Sequence, residues 1–225
     1  STVYRNQYSD QTFWGGTGFG IKISENLNLG AAVFVLYRNL LQEQESSITF
    51  DENSSHAQFR LISNALELHN FNLLGKFGIK YAYRKHLLFG MTFSPPTHAL
   101  YSKGAFLYQR ALSLSEGSEE IIQFEQEKIS GLSSETSLGT TIRMGFAYIY
   151  PQLLTASADI TYFGKTNYNL LGNADLPTLK QLPMITKVNK NEVINFNIGF
   201  EYLITKKISV GSGFFSDFST ADKID

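Results

Sequence analysis

Apolar and polar residues alternate along much of the chain, and the clearest example is the stretch INFNIGFEY. Every second residue from Ile194 to Tyr202 is apolar or aromatic, whereas the residues between them are Asn, Gly and Glu. Alternation with a period of two predicts a β-strand that has one apolar and one polar face. The pattern recurs in FWGGTGFGIKI, FNLLGKFGIKYAY, TIRMGFAYIY and LLTASADITYF. We predict eight strands, over residues 12–24, 27–42, 57–83, 86–113, 136–149, 153–171, 191–204 and 207–219.

The connections between these strands alternate in length. Short breaks fall at residues 24–26, 84–85, 150–152 and 205–206, and long polar segments fall at residues 43–56, 114–135 and 172–190. In antiparallel order, all short turns then lie at one end of the sheet and all long loops lie at the other. Outer-membrane barrels have this asymmetry, with short periplasmic turns and longer extracellular loops. The chain is therefore predicted to be all-β, a single antiparallel up-and-down transmembrane β-barrel domain over residues 1–225.

The two faces of the predicted strands differ in composition. The polar face carries Gly, Asn, Thr, Ser and a few charged residues, which suits a hydrated barrel interior. The apolar face carries tyrosines close to the short turns, at positions 81, 83, 148, 150 and 202. Tyrosines at one height on a barrel are typical of the membrane interface. They are also compatible with a soluble sheet whose core tyrosines are hydrogen-bonded at its edge, but we favour an apolar face that contacts lipid.

Composition limits the other classes of function. The net charge is -1, so no strong field would recruit nucleic acid, and no cysteine is present for disulfides or thiolate metal sites. His56, His69, His86 and His98 share no metal-ligand spacing, and no G-x-S-x-G motif occurs. The stretch GGTGFG lacks the lysine and the strand-to-helix context of a phosphate-binding loop. We therefore predict no enzyme activity, no cofactor and no nucleic-acid partner.

Several stretches resemble the FadL/OmpP1/TodX family of outer-membrane transporters for long-chain fatty acids and other hydrophobic compounds. They are GFGIKISENLNLGAAVFVLY, FNLLGKFGIKYAYRKHLLFGMTFSPP, LGTTIRMGFAYIYPQLLTASADITYFGKTNY and VINFNIGFEYLITKKISVGSGFFSDFS. The resemblance covers about residues 12–220 and implies a fourteen-stranded barrel through which a hydrophobic compound diffuses passively across the bacterial outer membrane. The family's N-terminal plug segment, with its NPA signature, and its first strands have no counterpart here. The resemblance therefore implies that these eight strands are the middle of a longer barrel.

The resemblance also implies a hydrophobic ligand that apolar residues of the extracellular loops would capture. Exposed apolar clusters often mark binding sites, although the same residues could pack against one another as a cap. A carboxylate head group would accept charge-assisted hydrogen bonds from basic residues on the polar face. The candidate ligand-binding residues are Ile121, Ile122, Phe124, Leu170, Leu171, Leu179, Leu182, Met184, Lys76, Lys80 and Arg143. The expected partners are outer-membrane lipid and a hydrophobic small molecule, and the expected state is a monomer.

Two other functions remain open from the sequence. A complete eight-stranded barrel would have an interior filled by side chains and a structural or adhesive role. A soluble lipid-binding β-barrel would place its apolar face inside. Pro95 and Pro96 cannot donate hydrogen bonds to a neighbouring strand, so the predicted fourth strand should be interrupted there. The interruption would form a bulge, which we favour, or a lateral gate in the wall.

Overall fold

A computed structural model of the chain describes residues 2–49, 59–116, 119–171 and 187–221. Within these ranges the regular secondary structure consists of twelve β-strands, which confirms the all-β class. In the same ranges, no helix is long and apolar enough to span a membrane. The strands are β1 (Thr2–Lys22), β2 (Leu27–Thr49), β3 (Phe59–Tyr83), β4 (Leu87–Ser94), β5 (His98–Glu116), β6 (Glu119–Leu132), β7 (Thr141–Tyr150), β8 (Leu154–Phe163), β9 (Thr166–Asn169), β10 (Lys187–Lys190), β11 (Val193–Thr205) and β12 (Ile208–Phe215).

Ten of the strands form one antiparallel sheet in the order β1-β2-β3-β4-β7-β8-β11-β12, with β5 and β6 attached beside it. Strand β3 is long enough to pair with β4 along its C-terminal part and with β5 along the rest, and β5 also pairs with β6. Strands β9 and β10 form a separate two-stranded sheet. The main sheet curves into a half-barrel, since Trp14 of β1 lines the same groove as Asn195 of β11.

The edges of the main sheet are β1 and β12, which do not pair with each other within the described residues. The sheet is therefore open, and it differs from the closed eight-stranded barrel that the sequence left as an alternative. An unpaired edge exposes backbone N–H and C=O groups, which are costly to leave unsatisfied inside a bilayer. A sheet of this kind needs further strands along both edges if it spans a membrane.

The four short connections lie at one end of the sheet, as predicted, and we call this the lower end. They join the register pairs Lys22↔Asn28, Tyr83↔Leu87, Tyr150↔Leu154 and Thr205↔Ile208. Arg84 and Gln152 have φ angles of 57° and 62°, in the left-handed region that tight hairpin turns use. The turn geometry therefore follows the asymmetry that the sequence predicted.

The upper end differs from the sequence prediction. Strand β1 begins at Thr2 and β2 continues to Thr49, so residues 43–49 of the predicted loop 43–56 belong to a strand. The predicted loop 114–135 contains the end of β5 and all of β6. Of the predicted loop 172–190, only β10 lies within the described residues. The extra strand residues were missed because polar side chains occupy both of their faces, so the period-two signal is lost.

The predicted strand over residues 86–113 is interrupted at Pro95 and Pro96, as expected. Strand β4 ends at Ser94 and β5 begins at His98, yet both pair with β3. Phe93 lies opposite Phe77, and His98 lies opposite Leu73. The four residues 94–97 therefore face only the three residues 74–76 of β3. On the β3 side the interruption is therefore a bulge.

One face of the main sheet, which we call the outer face, is apolar and exposed. Its upper limit is a row of rings from four neighbouring strands, in which successive ring centroids lie 6.4, 4.7 and 6.3 Å apart. Its lower limit is the set of tyrosines predicted near the short turns, which are Tyr81, Tyr83, Tyr148, Tyr150 and Tyr202. We call these the upper and lower aromatic rows; the upper row comprises Phe13, Tyr37, Phe71 and Tyr101.

The distance between the two rows fits the apolar thickness of a membrane. Ten residues separate Phe71 from Tyr81 along β3, which corresponds to about 33 Å of extended strand. At the tilt of about 40° that is usual for barrel strands, this is a height of roughly 25 Å, which matches the apolar band of outer-membrane barrels. Large apolar side chains such as Phe19 and Phe77 lie exposed within the band.

Candidate functional site

The lower half of the inner face, on the side of the sheet opposite the apolar band, is an open groove, which we call the lower groove. Glycines align across neighbouring strands there, with Gly30 opposite Gly78 and Gly90 opposite Gly145. Because these positions have no side chains, they leave a groove of about 620 Å³. The charged residues Lys80, Arg143 and Asp159 are among those that line it.

The upper half of the inner face is filled by a buried cluster. The strands contribute Leu40, Leu66, Leu68 and Phe106, each at most 1% exposed. The remaining members, Tyr168, Leu170 and Leu171, come from residues 164–171, which leave the wall after β8 and turn inward; we call them the inserted segment.

The inserted segment fits against β5 at Gly104. A Cβ atom at this position would lie 2.8 Å from Cδ2 of Leu68 and 2.9 Å from Cδ2 of Leu171. Both distances are too short for carbon atoms, so a larger residue at position 104 would have to displace the buried side chains of Leu68 and Leu171. The upper interior is therefore closed by apolar contact with a specific segment of the chain.

A second segment, residues 133–140 between β6 and β7, also bends toward the inner face, and we call it the inward bend. The fully buried Asn70 anchors it, because its Nδ2 donates to Oγ1 of Thr136 at 2.7 Å and its Oδ1 accepts from Oγ of Ser134 at 2.6 Å. The hydroxyl of Ser102 contacts Oδ1 of Asn70 and the carbonyl oxygen of Ser134. A saturated polar network of this kind holds the bend in one position.

Arg38 of β2 links both segments to the wall. Its Nε and Nη2 atoms donate to the Asp10 carboxylate at 2.8 and 2.7 Å, which is a bidentate ion pair. Its Nη1 atom donates to Oγ1 of Thr136 at 3.2 Å and to the hydroxyl of Tyr168 at 3.5 Å. Arg38 therefore joins β1 and β2 to the inward bend and the inserted segment.

The ion pair shifts the pKa values of both partners in the direction that keeps them charged. Hydrogen bonding from Arg38 holds the pKa of the Asp10 carboxyl below its usual value of 3.8, and the bond to Asp10 raises the pKa of Arg38. The pair was not predicted from the sequence, because the predicted first strand began at residue 12 and Asp10 lay outside it. The alternation extended backward from Thr12 would have placed Asp10 on the polar face.

A small cavity, which we call the central cavity, lies beside Arg38 and has a volume of about 200 Å³. Its apolar lining includes Trp14, Leu36 and Leu138, and its polar lining includes Arg38 and Asn72. Asn72 is only 3% exposed, and its Oδ1 atom has no hydrogen-bond partner.

A wider groove of about 630 Å³ adjoins the central cavity and shares Trp14, Leu138 and Lys190 with it. Its far side is formed by β8, β11 and the chain after β12, including Phe163, Asn195 and Phe218. The interior below the buried cluster therefore contains two adjoining spaces, the central cavity and the wider groove.

The structure separates the apolar residues that the sequence proposed as one ligand-binding group. Leu170 and Leu171 are buried in the cluster of the inserted segment, at 3% and 2% exposure. Ile121, Ile122 and Phe124 lie exposed on β6, and the last two point outward because they pair with Ser113 and Ala111. The other three proposed residues, Leu179, Leu182 and Met184, lie outside the described residues.

The three proposed basic residues occupy the inner face but differ in their surroundings. The Nζ atom of Lys76 lies 5.5 and 5.3 Å from the ring centroids of Trp14 and Phe34, as in cation–π pairs. Arg143 donates to Oδ1 of Asp159 from Nη2 at 3.0 Å. Lys80 lines the lower groove and has no ion-pair partner within the described residues.

Groups of histidine or acidic residues that could hold a metal ion do not occur in the part of the chain that the structure describes. The polar residues of the interior instead form ion pairs and neutral hydrogen bonds. This arrangement can position segments of the chain and bind a small molecule.

Comparison with known proteins supports the fold. No protein-family model matches the chain, and no curated protein matches its sequence. The structure is similar to that of the Ralstonia pickettii toluene transporter TbuX, with a TM-score of 0.53 and 14% identity over 93% of this chain and 56% of TbuX. The Pseudomonas putida toluene transporter TodX matches with a TM-score of 0.39 and 8% identity over 95% of this chain and 73% of TodX. The chain thus spans 56% of the length of TbuX and shares its fold over that part.

Proposed function

We propose that this chain forms part of an outer-membrane channel for the passive uptake of hydrophobic compounds. The observation that carries the proposal is the combination of an apolar outer band of membrane height with an interior that is closed above and open below. The buried cluster would prevent free flow of water, while the central cavity and the lower groove would offer binding space to a substrate. The fold shared with a toluene transporter supports the same class of function.

We further propose that the open edges of the sheet pair with additional strands of the same protein. Eight strands of the wall are present, and the resemblance described above implies a barrel of fourteen. Because the extra strands would close the barrel, the complete protein is proposed to be a monomer surrounded by outer-membrane lipid. The short turns would face the periplasm, and segments 43–56, 114–135 and 172–190 would lie at the extracellular end.

A long-chain fatty acid is the finer proposal for the substrate. Lys80 is the basic residue whose ammonium group is available in the lower groove, so it would receive a carboxylate there. Arg143 is already paired with Asp159, and Lys76 is placed over two rings. A Lys80→Gln substitution should weaken uptake of an acid such as oleate and leave the uptake of toluene unchanged.

Uptake by cells tests the proposal. The complete reading frame would be expressed in a bacterium that lacks its own channel for hydrophobic compounds, and entry of radiolabelled toluene and oleate would be compared with that in cells carrying an empty vector. Faster entry of at least one compound is expected. Equal entry with folded protein present in the outer membrane would refute transport of these compounds.

Labelling tests the proposed orientation. The chain has no cysteine, so single cysteines can be introduced at Lys85 in a short turn and at Ser47 near the upper end. A membrane-impermeant maleimide added to intact cells should label the variant at Ser47 and spare the variant at Lys85. The reverse pattern would show that the short turns face outward.

A further inference from the structure

The turn between β3 and β4 carries two adjacent basic residues at the lower limit of the apolar band. Its sequence from Tyr83 to His86 is YRKH, and it contains no acidic residue. Arg84 and Lys85 are both exposed, and neither takes part in an ion pair within the described residues. Two adjacent positive charges without a nearby counter-ion attract an anion from outside the protein.

The guanidinium group of Arg84 lies on the outer side of the wall. Its Cζ atom is 5.2 Å from the ring centroid of Tyr83, as in a cation–π pair. Tyr83 belongs to the lower aromatic row, and its side chain is exposed on the outer face. The positive charge is therefore held just below the apolar band, where lipid phosphate groups lie beside interfacial tyrosines.

The turn is fixed to the neighbouring strand β7. The N–H group of Ile149 donates to the carbonyl oxygen of His86 at 2.7 Å, and Nδ1 of His86 donates to the carbonyl oxygen of Ile149 at 2.9 Å. The His86 ring also stacks on Tyr150, with ring centroids 5.2 Å apart. A turn that is already ordered loses little conformational entropy when it binds a ligand.

The surroundings of the turn determine the class of ligand. A guanidinium group matches the geometry of phosphate oxygens. Directly above the turn, the outer face presents the exposed side chains of Tyr81 and Phe89, which can contact acyl chains. A zwitterionic lipid carries its own ammonium group near the phosphate, so two cations favour a phospholipid with a net negative charge.

We propose that the β3–β4 turn binds the head group of an anionic phospholipid, with Arg84 and Lys85 on its phosphate and the acyl chains along the apolar band. The inference rests on the proposed function for one point, which is that the chain spans a membrane. It adds a specific lipid partner at the lower end, where the head groups of the periplasmic leaflet would lie.

Competition between two lipids tests the proposal. The complete protein in neutral detergent would be mixed with equal amounts of phosphatidylglycerol and phosphatidylcholine that have the same acyl chains, and native mass spectrometry would count the bound molecules of each. Phosphatidylglycerol should be preferred by about tenfold, since each basic residue at a membrane surface adds attraction for anionic lipid. In the double variant Arg84→Asn with Lys85→Gln, the two lipids should bind almost equally. Asparagine suits position 84, where φ is 57°.

A second lower turn supplies a matched control. Lys206 and Lys207 are also adjacent and exposed, but no aromatic ring lies within cation–π distance of either among the described residues. The double variant Lys206→Gln with Lys207→Gln loses the same charge at the same end of the sheet, and it should keep the preference for phosphatidylglycerol. Heat-dependent gel mobility would confirm that both double variants are folded.

Three outcomes would overturn the inference. Equal binding of the two lipids to the unaltered protein would show that no anionic lipid is selected. Equal loss of the preference in both double variants would show a general attraction by the lower end instead of a site at the β3–β4 turn. Displacement of the lipid by inorganic phosphate at the same concentration would show a site for free phosphate. Because the readout is lipid bound to purified protein, failed uptake with the preference retained would refute only the proposed function.

Discussion

Replacing Ile198 with arginine tests whether the outer face contacts lipid. Ile198 lies on β11 between Ala158 of β8 and Phe214 of β12, and its side chain is 56% exposed in the isolated chain. Along β11 it lies midway between two residues of the same face. One is Ile194, whose register partner is Tyr162 of β8, and the other is Tyr202 of the lower aromatic row. Ile198 therefore lies near the middle of the apolar band.

The expected cost follows from that position. An arginine on the lipid face at the bilayer midplane destabilises outer-membrane barrels by about 2–4 kcal/mol, and the cost falls toward the interfaces. The neighbouring residue Asn197 points inward and donates from Nδ2 to Oδ1 of Asp159 at 3.0 Å. An arginine at position 197 would lie beside that carboxylate, so Asn197→Arg should change stability by no more than about 1 kcal/mol.

The assay is reversible unfolding of the complete protein in urea with phospholipid vesicles present. Gel mobility without heating reports the folded fraction, and the free energy of unfolding is compared among the unaltered protein, Ile198→Arg and Asn197→Arg. Ile198→Arg should be at least about 2 kcal/mol less stable than Asn197→Arg. Equal stability of the two variants would refute the argument, because it would mean that water reaches the outer face as easily as the interior.

Further predictions concern the inserted segment and the charged residues of the interior. Leu171→Ala should lower the free energy of unfolding by about 2–5 kcal/mol and speed uptake, because it opens the buried cluster; an unchanged uptake rate would show that the segment does not limit passage. A double-mutant cycle with Asp10→Asn and Arg38→Met should give a coupling of about 1 kcal/mol, and no measurable coupling would contradict the bidentate pair. Since the pKa of Asp10 is lowered in the folded protein, this coupling should be complete at neutral pH and disappear as the pH falls below 3.8, which unfolding titrations can follow. Arg143→Gln should cost less than about 1 kcal/mol, as expected for a half-exposed pair, and a larger loss would indicate a structural role.

The sequence determined the class of fold and the two faces of the wall. Alternation with a period of two depends only on residue order, because successive side chains of a strand point to opposite sides. Where one face is apolar and the other is polar, as from Ile194 to Tyr202, the pattern is unmistakable and the strand bounds are close to those observed. The short turns and the break at Pro95 likewise depend on the residues at those positions, and both were predicted correctly.

Tertiary structure decided how the interior is filled. Residues 164–171 were predicted to continue the strand over residues 153–171, yet they leave the wall after β8, and Leu171 packs against Leu68 and Gly104, which are distant in sequence. The same is true of Arg38, whose partners Asp10, Thr136 and Tyr168 come from three other parts of the chain. Local pattern carries no information on such contacts, since they depend on which strands the curved sheet brings face to face.

The contrast has one physical reason. The direction of a side chain on a strand is fixed by the backbone within two residues, so the sequence alone could separate an apolar face from a polar face. The curvature of the sheet decided that the apolar face is the outer one. The central cavity exists only where β1, β2, β3 and the inward bend enclose a volume that no side chain fills. In the sequence, Asn72 of the cavity lining cannot be distinguished from the other polar residues of the inner face. Only the folded chain shows that its amide oxygen lacks a hydrogen-bond partner.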